Sequence, residues 1–304
     1  MLELKTEEAG INLEEIKTNK SIDWRSINRS AIETRTKYKL RSAEKDSSGN
    51  YLLIIGGQNI WTSQDSAFRL ENSDKAINDL CDYIVQNADS ISRIVVCNER
   101  NHINKYSFST SWIFEDEYMD LDPTNPSSWP LINSKEINDK FTPNCSVSAQ
   151  ELYVKEIEKE AKYKGLQLFP PFAISGSSDV SLNNRLMACI YWHSVLRQTN
   201  QQSPLIISKS EAQNVDQYSA FSDLLNKEHN GSTKKQITEQ AASLIVSGFP
   251  RSFVISTIKD ISENMDATKI TFVDNCCIDI GINWLNQTTQ EELEKLKNDG
   301  LTII

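Results

Sequence analysis

Short, continuous apolar runs punctuate an otherwise polar chain. Tyr51-Leu52-Leu53-Ile54-Ile55 is closed by Gly56-Gly57, and Ile91-Ser92-Arg93-Ile94-Val95-Val96-Cys97 follows. Pro204-Leu205-Ile206-Ile207, Ser243-Leu244-Ile245-Val246 and Lys269-Ile270-Thr271-Phe272-Val273 repeat the pattern. Runs of this length without alternation suit strands buried on both faces. Between them the apolar spacing is helical. Ala76, Ile77, Leu80, Cys81 and Ile84 predict a helix over 74–88, and further helices are expected from Leu182 to Arg197 and from Ser252 to Glu263. Thr288 and Glu291 are placed to cap a final helix that Asn298-Asp299-Gly300 ends, and Leu301 to Ile304 suit an edge strand. Apolar runs alternating with helices imply βαβ units, hence a three-layer α/β/α domain with a mainly parallel sheet. Right-handed crossovers put helices on both faces. In such sheets the site lies at the carboxyl ends of the strands. Four spots qualify: Gly56–Trp61, Asn98–Phe108, Lys209 onward, and Gly248–Val254.

The flanks differ from this body. Residues 1–48 are polar and read as an N-terminal extension with one or two short helices. The turn cluster Asp46-Ser47-Ser48-Gly49-Asn50 marks a boundary, which gives the main domain residues 49–304. Residues 109–146, with Pro123, Pro126, Pro130 and Pro143, read as an irregular surface segment. They open an insertion that runs to about residue 165. Ser148 and Glu151 form a capping box there, leading into a charged, solvated helix to about Lys164.

Composition narrows the function classes. No apolar stretch reaches the roughly 18 residues of a membrane span, and Met1 to Lys20 lack the apolar centre of a signal peptide. A cytoplasmic protein without a membrane partner is expected, although signal-independent export leaves no mark in a sequence. The net charge of −10 opposes nucleic-acid binding as a global property. The cluster Arg35, Lys37, Lys39 and Arg41 is the best local exception, read first as a solvated face. Six scattered cysteines without a CxxC pair argue against disulfides or structural zinc. His102, His193 and His229 show no i, i+4 spacing, so no metal and no cofactor are expected.

The strand-end residues carry a resemblance. Leu53-Ile54-Ile55-Gly56-Gly57-Gln58-Asn59-Ile60-Trp61, Ile206-Ile207-Ser208-Lys209 with Val215-Asp216-Gln217-Tyr218-Ser219-Ala220-Phe221, and Val246-Ser247-Gly248-Phe249-Pro250-Arg251-Ser252-Phe253-Val254 resemble, in order and spacing, three motifs of the isochorismatase/nicotinamidase-like cysteine hydrolases. The resemblance spans about residues 50 to 285. That family uses a cysteine nucleophile, an aspartate that takes its proton and a lysine that supports the pair. Matched motif by motif, Lys209 stands at the lysine position, Gly56 at the aspartate position and Val254 at the cysteine position. The resemblance also implies a cis peptide at the nucleophile turn. It falls on Phe249–Pro250, where proline lowers the cost of cis to roughly 0.5–1 kcal/mol. Alignment on Ser107-Phe108 puts Glu99, Asn101 and Lys105 where many nicotinamidases hold a metal. A lysine ammonium opposes a divalent ion there.

The expectation is therefore a catalytically inactive member of this fold that acts by binding a small-molecule ligand or a protein partner, with a homo-oligomer implied by the resemblance. The alternative is an active amidase or related hydrolase, on a small amide or related C–N or ether substrate, with a rearranged site. A third reading makes the domain a rigid platform for its extension and insertion. Gln58, Trp61, Phe172, Phe249, Pro250 and Phe253 are the candidate pocket residues, with ordinary packing as the competing reading. Cys276, Cys277 and Ser252 are the candidates for a relocated nucleophile, each read first as a buried structural group. His193 reads as a satisfied helix-face histidine, and Lys209, with Gly56 opposite, as a cation without its balancing acid.

Overall fold

The computed structural model describes residues 4–19, 21–45, 49–115, 117–118, 120–160, 164–198 and 205–304. The turn residues Asp46 to Ser48 and Pro204 lie outside these. Two helices come first, α1 (Leu13–Asn19) and α2 (Trp24–Tyr38), then β1 (Asn50–Ile55), α3 (Asn59–Thr62), α4 (Ser73–Gln86) and β2 (Ile91–Glu99). Next come β3 (Trp112–Phe114), β4 (Glu117–Tyr118), β5 (Leu131–Ile132), β6 (Phe141–Pro143), α5 (Val147–Lys159), β7 (Leu166–Gln167) and α6 (Asn184–Arg197). The chain closes with β8 (Leu205–Lys209), α7 (Gly231–Gln240), β9 (Ser243–Gly248), α8 (Arg251–Ser262), β10 (Ile270–Phe272), α9 (Asn283–Asn298) and β11 (Thr302–Ile303).

The apolar runs become a six-stranded sheet in the order β11-β10-β9-β1-β2-β8. Every ladder in it is parallel. Leu52 to Ile55 on β1 and Leu244 and Val246 on β9 are fully buried, as expected of central strands covered on both faces. Helices α4 and α6 pack together, joined by α1 and α2, while α8 pairs with α9. The edge strand at the carboxyl end of the chain forms as predicted, on β10.

Several expectations are corrected. The N-terminal extension forms two helices, as expected of it, and its Leu4, Ile11, Leu13, Ile16 and Ile27 also join the core. Residues 109–165 carry short elements among those described. They hold the antiparallel sheet β4-β3-β6, the pair β5-β7 and α5, with Trp112, Trp129 and Ile132 buried. No capping box forms on Ser148 and Glu151. Ser146 is the N-cap, and Gln150 Oε1 accepts from the Cys145 and Ser146 N–H groups. The charged α5 keeps a solvated face and buries Tyr153, Val154 and Ile157 on the other. Finally, α9 begins at Asn283, so Thr288 lies inside it and its hydroxyl bonds the Trp284 carbonyl one turn back. The apolar stripe Leu285, Leu293 and Leu296 extends the helix past the polar cap signal.

Candidate functional site

Two glycine turns shape the carboxyl end of the sheet. Gly248 (φ +130°) ends β9 against the backbone of Ile55, and a Cβ there would lie 2.0 Å from the Ile55 carbonyl oxygen. Gly56 (φ +67°) ends β1, and a Cβ there would lie 2.3 Å from the Phe249 carbonyl oxygen. The position that the resemblance gives to an aspartate thus has no room for any side chain. The Phe249–Pro250 bond between these turns is cis, as expected. Val254, at the cysteine position, lies fully buried in the first turn of α8.

Lys209 at the end of β8 is buried and has a complete set of partners. Its ammonium donates to the carbonyls of Gln217 (2.9 Å) and Tyr218 (3.1 Å) and pairs with Glu99 Oε2 at 2.9 Å. It also sits 3.8 Å from the centroid of the Phe253 ring, a cation–π contact. The expectation of an unbalanced lysine is therefore wrong. Glu99, at the end of the neighbouring strand β2 and in register with Lys209, supplies the missing charge. Adjacent strand ends facing each other across a parallel ladder were the signal that could have revealed this pair.

A second buried pair stands beside the first. Lys105 Nζ donates to the carbonyls of Ser210 (3.0 Å) and Val215 (2.5 Å) and lies 3.4 Å from Asp216 Oδ1. Ser107 Oγ donates to the same oxygen at 2.5 Å, and the Tyr153 hydroxyl donates to Oδ2 at 3.0 Å. Burial pushes the Lys105 ammonium below its usual range, partly offset by the Asp216 and Glu99 carboxylates. Burial, reinforced by the Asp216 charge, pushes the Tyr153 phenol well above its own. The loop 210–218 wraps both ammonium groups with its backbone carbonyls.

Aromatic rings fill the rest of the cleft. Phe172 lies at the centre, with ring centroids 5.5 Å from Trp61, 5.5 Å from Phe68, 5.9 Å from Phe108 and 5.7 Å from Phe169. Trp129, from the insertion, closes the cluster against Phe68 and Phe169. On the other side Tyr218 stacks on Phe253 at 5.5 Å. The space left between Glu99, Asn101, Lys105, Phe172, Gln217 and Phe253 is only about 10 Å³, no more than a single water requires and far below the roughly 300 Å³ of a small ligand pocket. Trp61, Phe172, Phe249 and Phe253 are all buried.

Gln58 is likewise no free ligand group. Its amide donates to the carbonyls of Glu99 (2.8 Å) and Val180 (2.9 Å) and accepts from the Glu99 N–H (2.6 Å). It fastens the turn after β1 to the end of β2 and to the approach to α6. Asn101 and Gln217 each keep one buried polar atom without a partner, as does Ser252 Oγ at the start of α8. Cys276 and Cys277 have thiols pushed up to about 12, chiefly by burial, so neither is a thiolate at neutral pH. His193 bonds the Ile91 carbonyl at the opposite end of β2, and burial depresses its pKa to about 4.

The residues at the implied metal positions do not fit a divalent cation. Glu99 is engaged with Lys209, the Asn101 amide donates to the Phe172 carbonyl, and the Lys105 ammonium fills the third position with positive charge. Among the described residues no cluster of three or more histidine, cysteine or acidic side chains offers another metal site. No helix among them is long and apolar enough to cross a membrane.

Comparison with solved structures agrees with this geometry at the level of fold. The yeast nicotinamidase is 16% identical, with a TM-score of 0.55, covering 84% of this chain and 99% of that one. The Acinetobacter baumanii nicotinamidase/pyrazinamidase is 15% identical, with a TM-score of 0.54, covering 84% and 96%. PnC1 from L. infantum, solved in complex with nicotinate, is 13% identical, with a TM-score of 0.52, covering 85% and 93%. The sequence matches no protein-family model and no curated protein. The chain has the isochorismatase-like α/β/α fold of the nicotinamidases.

Proposed function

We propose that this chain is a catalytically silent protein on the nicotinamidase fold, one that acts by binding a protein partner and not by turning over a small amide. One observation carries the reading. The cleft is closed by its own side chains, with Lys209 neutralised by Glu99 and about 10 Å³ of space beside it. A nucleophile is also lacking where the chemistry needs one, since Val254 cannot attack and Gly56 cannot take a proton. The relocated alternatives fare no better. The thiols of Cys276 and Cys277 stay protonated, and Ser252 Oγ has no activating partner.

The test is ammonia release from nicotinamide and pyrazinamide by the purified chain, with Lys209→Ala as control. The expected rate matches the uncatalysed background for both proteins. Turnover by the wild type that disappears in Lys209→Ala overturns the reading. A thermal-shift titration with nicotinamide and nicotinate separates small-molecule binding from partner binding. No shift is expected, and a saturable rise in Tm would restore the cleft as a ligand site.

A further inference from the structure

Outside the cleft, the feature with the most unexplained chemistry is the outer face of α2. Its inner face, with Ile27, Ala31 and Thr34, is buried and packs on α6. Its outer face leaves Trp24 and Ile32 each 43% exposed, two turns apart on one stripe with Asn28 between them. These residues and Tyr191 of α6 line an open groove of about 540 Å³, with Arg25, Arg29 and Glu33 at its rim. Tyr191 forms the floor, held edge-on to Trp24 at 5.0 Å and accepting a hydrogen bond from the Asn28 amide at 3.2 Å. Residues 24–41 carry six cations (Arg25, Arg29, Arg35, Lys37, Lys39 and Arg41) against Glu33 alone, within a chain whose total charge is −10. Of these cations, Arg25 and Arg29 are the two that line the groove.

We propose that this groove docks an acidic segment of a partner protein that inserts an apolar anchor residue between Trp24, Ile32 and Tyr191. The proposal rests on the non-catalytic reading above and names the surface through which it operates. Tryptophan, tyrosine and arginine are the residues that dominate binding energy at protein interfaces, and here they converge on one open surface site. Arginine forks pair with carboxylates in two-pronged geometry, so the rim selects acidic side chains. Charge complementarity also decides among occupants. A second copy presenting the same basic face is repelled, which disfavours a two-fold contact through α2. Nucleic acid has little to gain from an apolar floor with two arginines and a glutamate at its rim.

The experiment uses the full chain and fluorescein-labelled synthetic peptides, measured by anisotropy. One peptide is a helix former with leucine and tryptophan on one face and glutamate elsewhere. Its counterpart has every glutamate replaced by lysine. The acidic peptide is expected to bind saturably and its counterpart not to bind. Arg25→Glu/Arg29→Glu, changed only at exposed side chains, should weaken the acidic peptide by about tenfold or more and gain affinity for the lysine peptide. Ile32→Asp should also weaken binding about tenfold without touching the Trp24–Tyr191 contact. Equal binding of the acidic peptide by wild type and the charge-reversed variant overturns the proposal. So does co-sedimentation with phosphatidylserine vesicles, tight binding of labelled duplex DNA or RNA, or a solution dimer that Ile32→Asp dissociates. Amide turnover by the charge-reversed variant would count against the non-catalytic reading alone, since Arg25 and Arg29 lie outside the cleft.

Discussion

Replacing Lys105 by methionine tests whether a lysine ammonium holds this end of the sheet together. The substitution keeps an apolar stem of similar length and removes every polar contact. The carbonyls of Ser210 and Val215 lose their donor, and Asp216 keeps Ser107 and Tyr153 but loses its cation. A buried acceptor left alone costs about 1–3 kcal/mol. A buried carboxylate stripped of its ion-pair partner costs about 3–5 kcal/mol. These losses overlap, so a total of about 3–5 kcal/mol is expected, a large part of the roughly 5–15 kcal/mol that holds a domain folded. Urea unfolding should show it as a lower midpoint at unchanged slope. Adding Asp216→Asn removes the stranded charge and should recover part of the loss, so the two effects will not add. The pH dependence has a definite sign. Burial lowers the folded pKa of Lys105 from its ordinary 10.5, so unfolding takes up a proton between the two values. The wild type's advantage over the variant should therefore be flat at low pH and grow as pH rises toward 10.5. A single-variant loss below about 1 kcal/mol refutes the reasoning, and so does strict additivity in the double variant.

Two further outcomes follow from the same geometry. Gly56→Ala should destabilise by at least about 2 kcal/mol, because the positive φ alone costs an alanine about 1–2 kcal/mol and its Cβ would also press on the Phe249 carbonyl. Gly176 has an equally unfavourable φ of +93° but open space around it, so Gly176→Ala should show only the conformational cost, and equal losses in thermal melts would count against the steric argument. Iodoacetamide at neutral pH should modify the exposed Cys145 in the native chain and leave Cys276 and Cys277 unreacted until unfolding, as read by peptide mass mapping. Fast native labelling of Cys277 would reopen the case for a relocated nucleophile.

Much of the fold was legible because its strands are buried on both faces. Continuous apolar runs such as Leu52 to Ile55 admit few other readings, and the cis bond at Phe249–Pro250 was marked by its proline. What escaped were features set by tertiary context. The polar look of residues 1–48 hid Leu4, Ile11 and Ile16, whose spacing is too irregular to declare a buried face. The proline-rich insertion looked unstructured, because strands of two or three residues leave no periodicity to read. At the site, the residue types and their order were visible, including the absence of acid at Gly56 and of thiol at Val254. The Glu99–Lys209 pair was not, since it depends on which two strands are neighbours. The retained Gln58 likewise looked like a binding group until its three backbone contacts placed it as a clamp.

The self-filled cleft has a consequence for how this protein behaves in a cell. A protein with an open site draws part of its stability from whatever occupies that site, so its half-life and its melting temperature follow the concentration of a metabolite. Here Phe172 packs against its neighbouring rings, and the Lys105 ammonium is paired with Asp216. On the proposed reading the fold draws no stability from a small molecule or a metal, and a bound protein partner is what would raise its melting temperature.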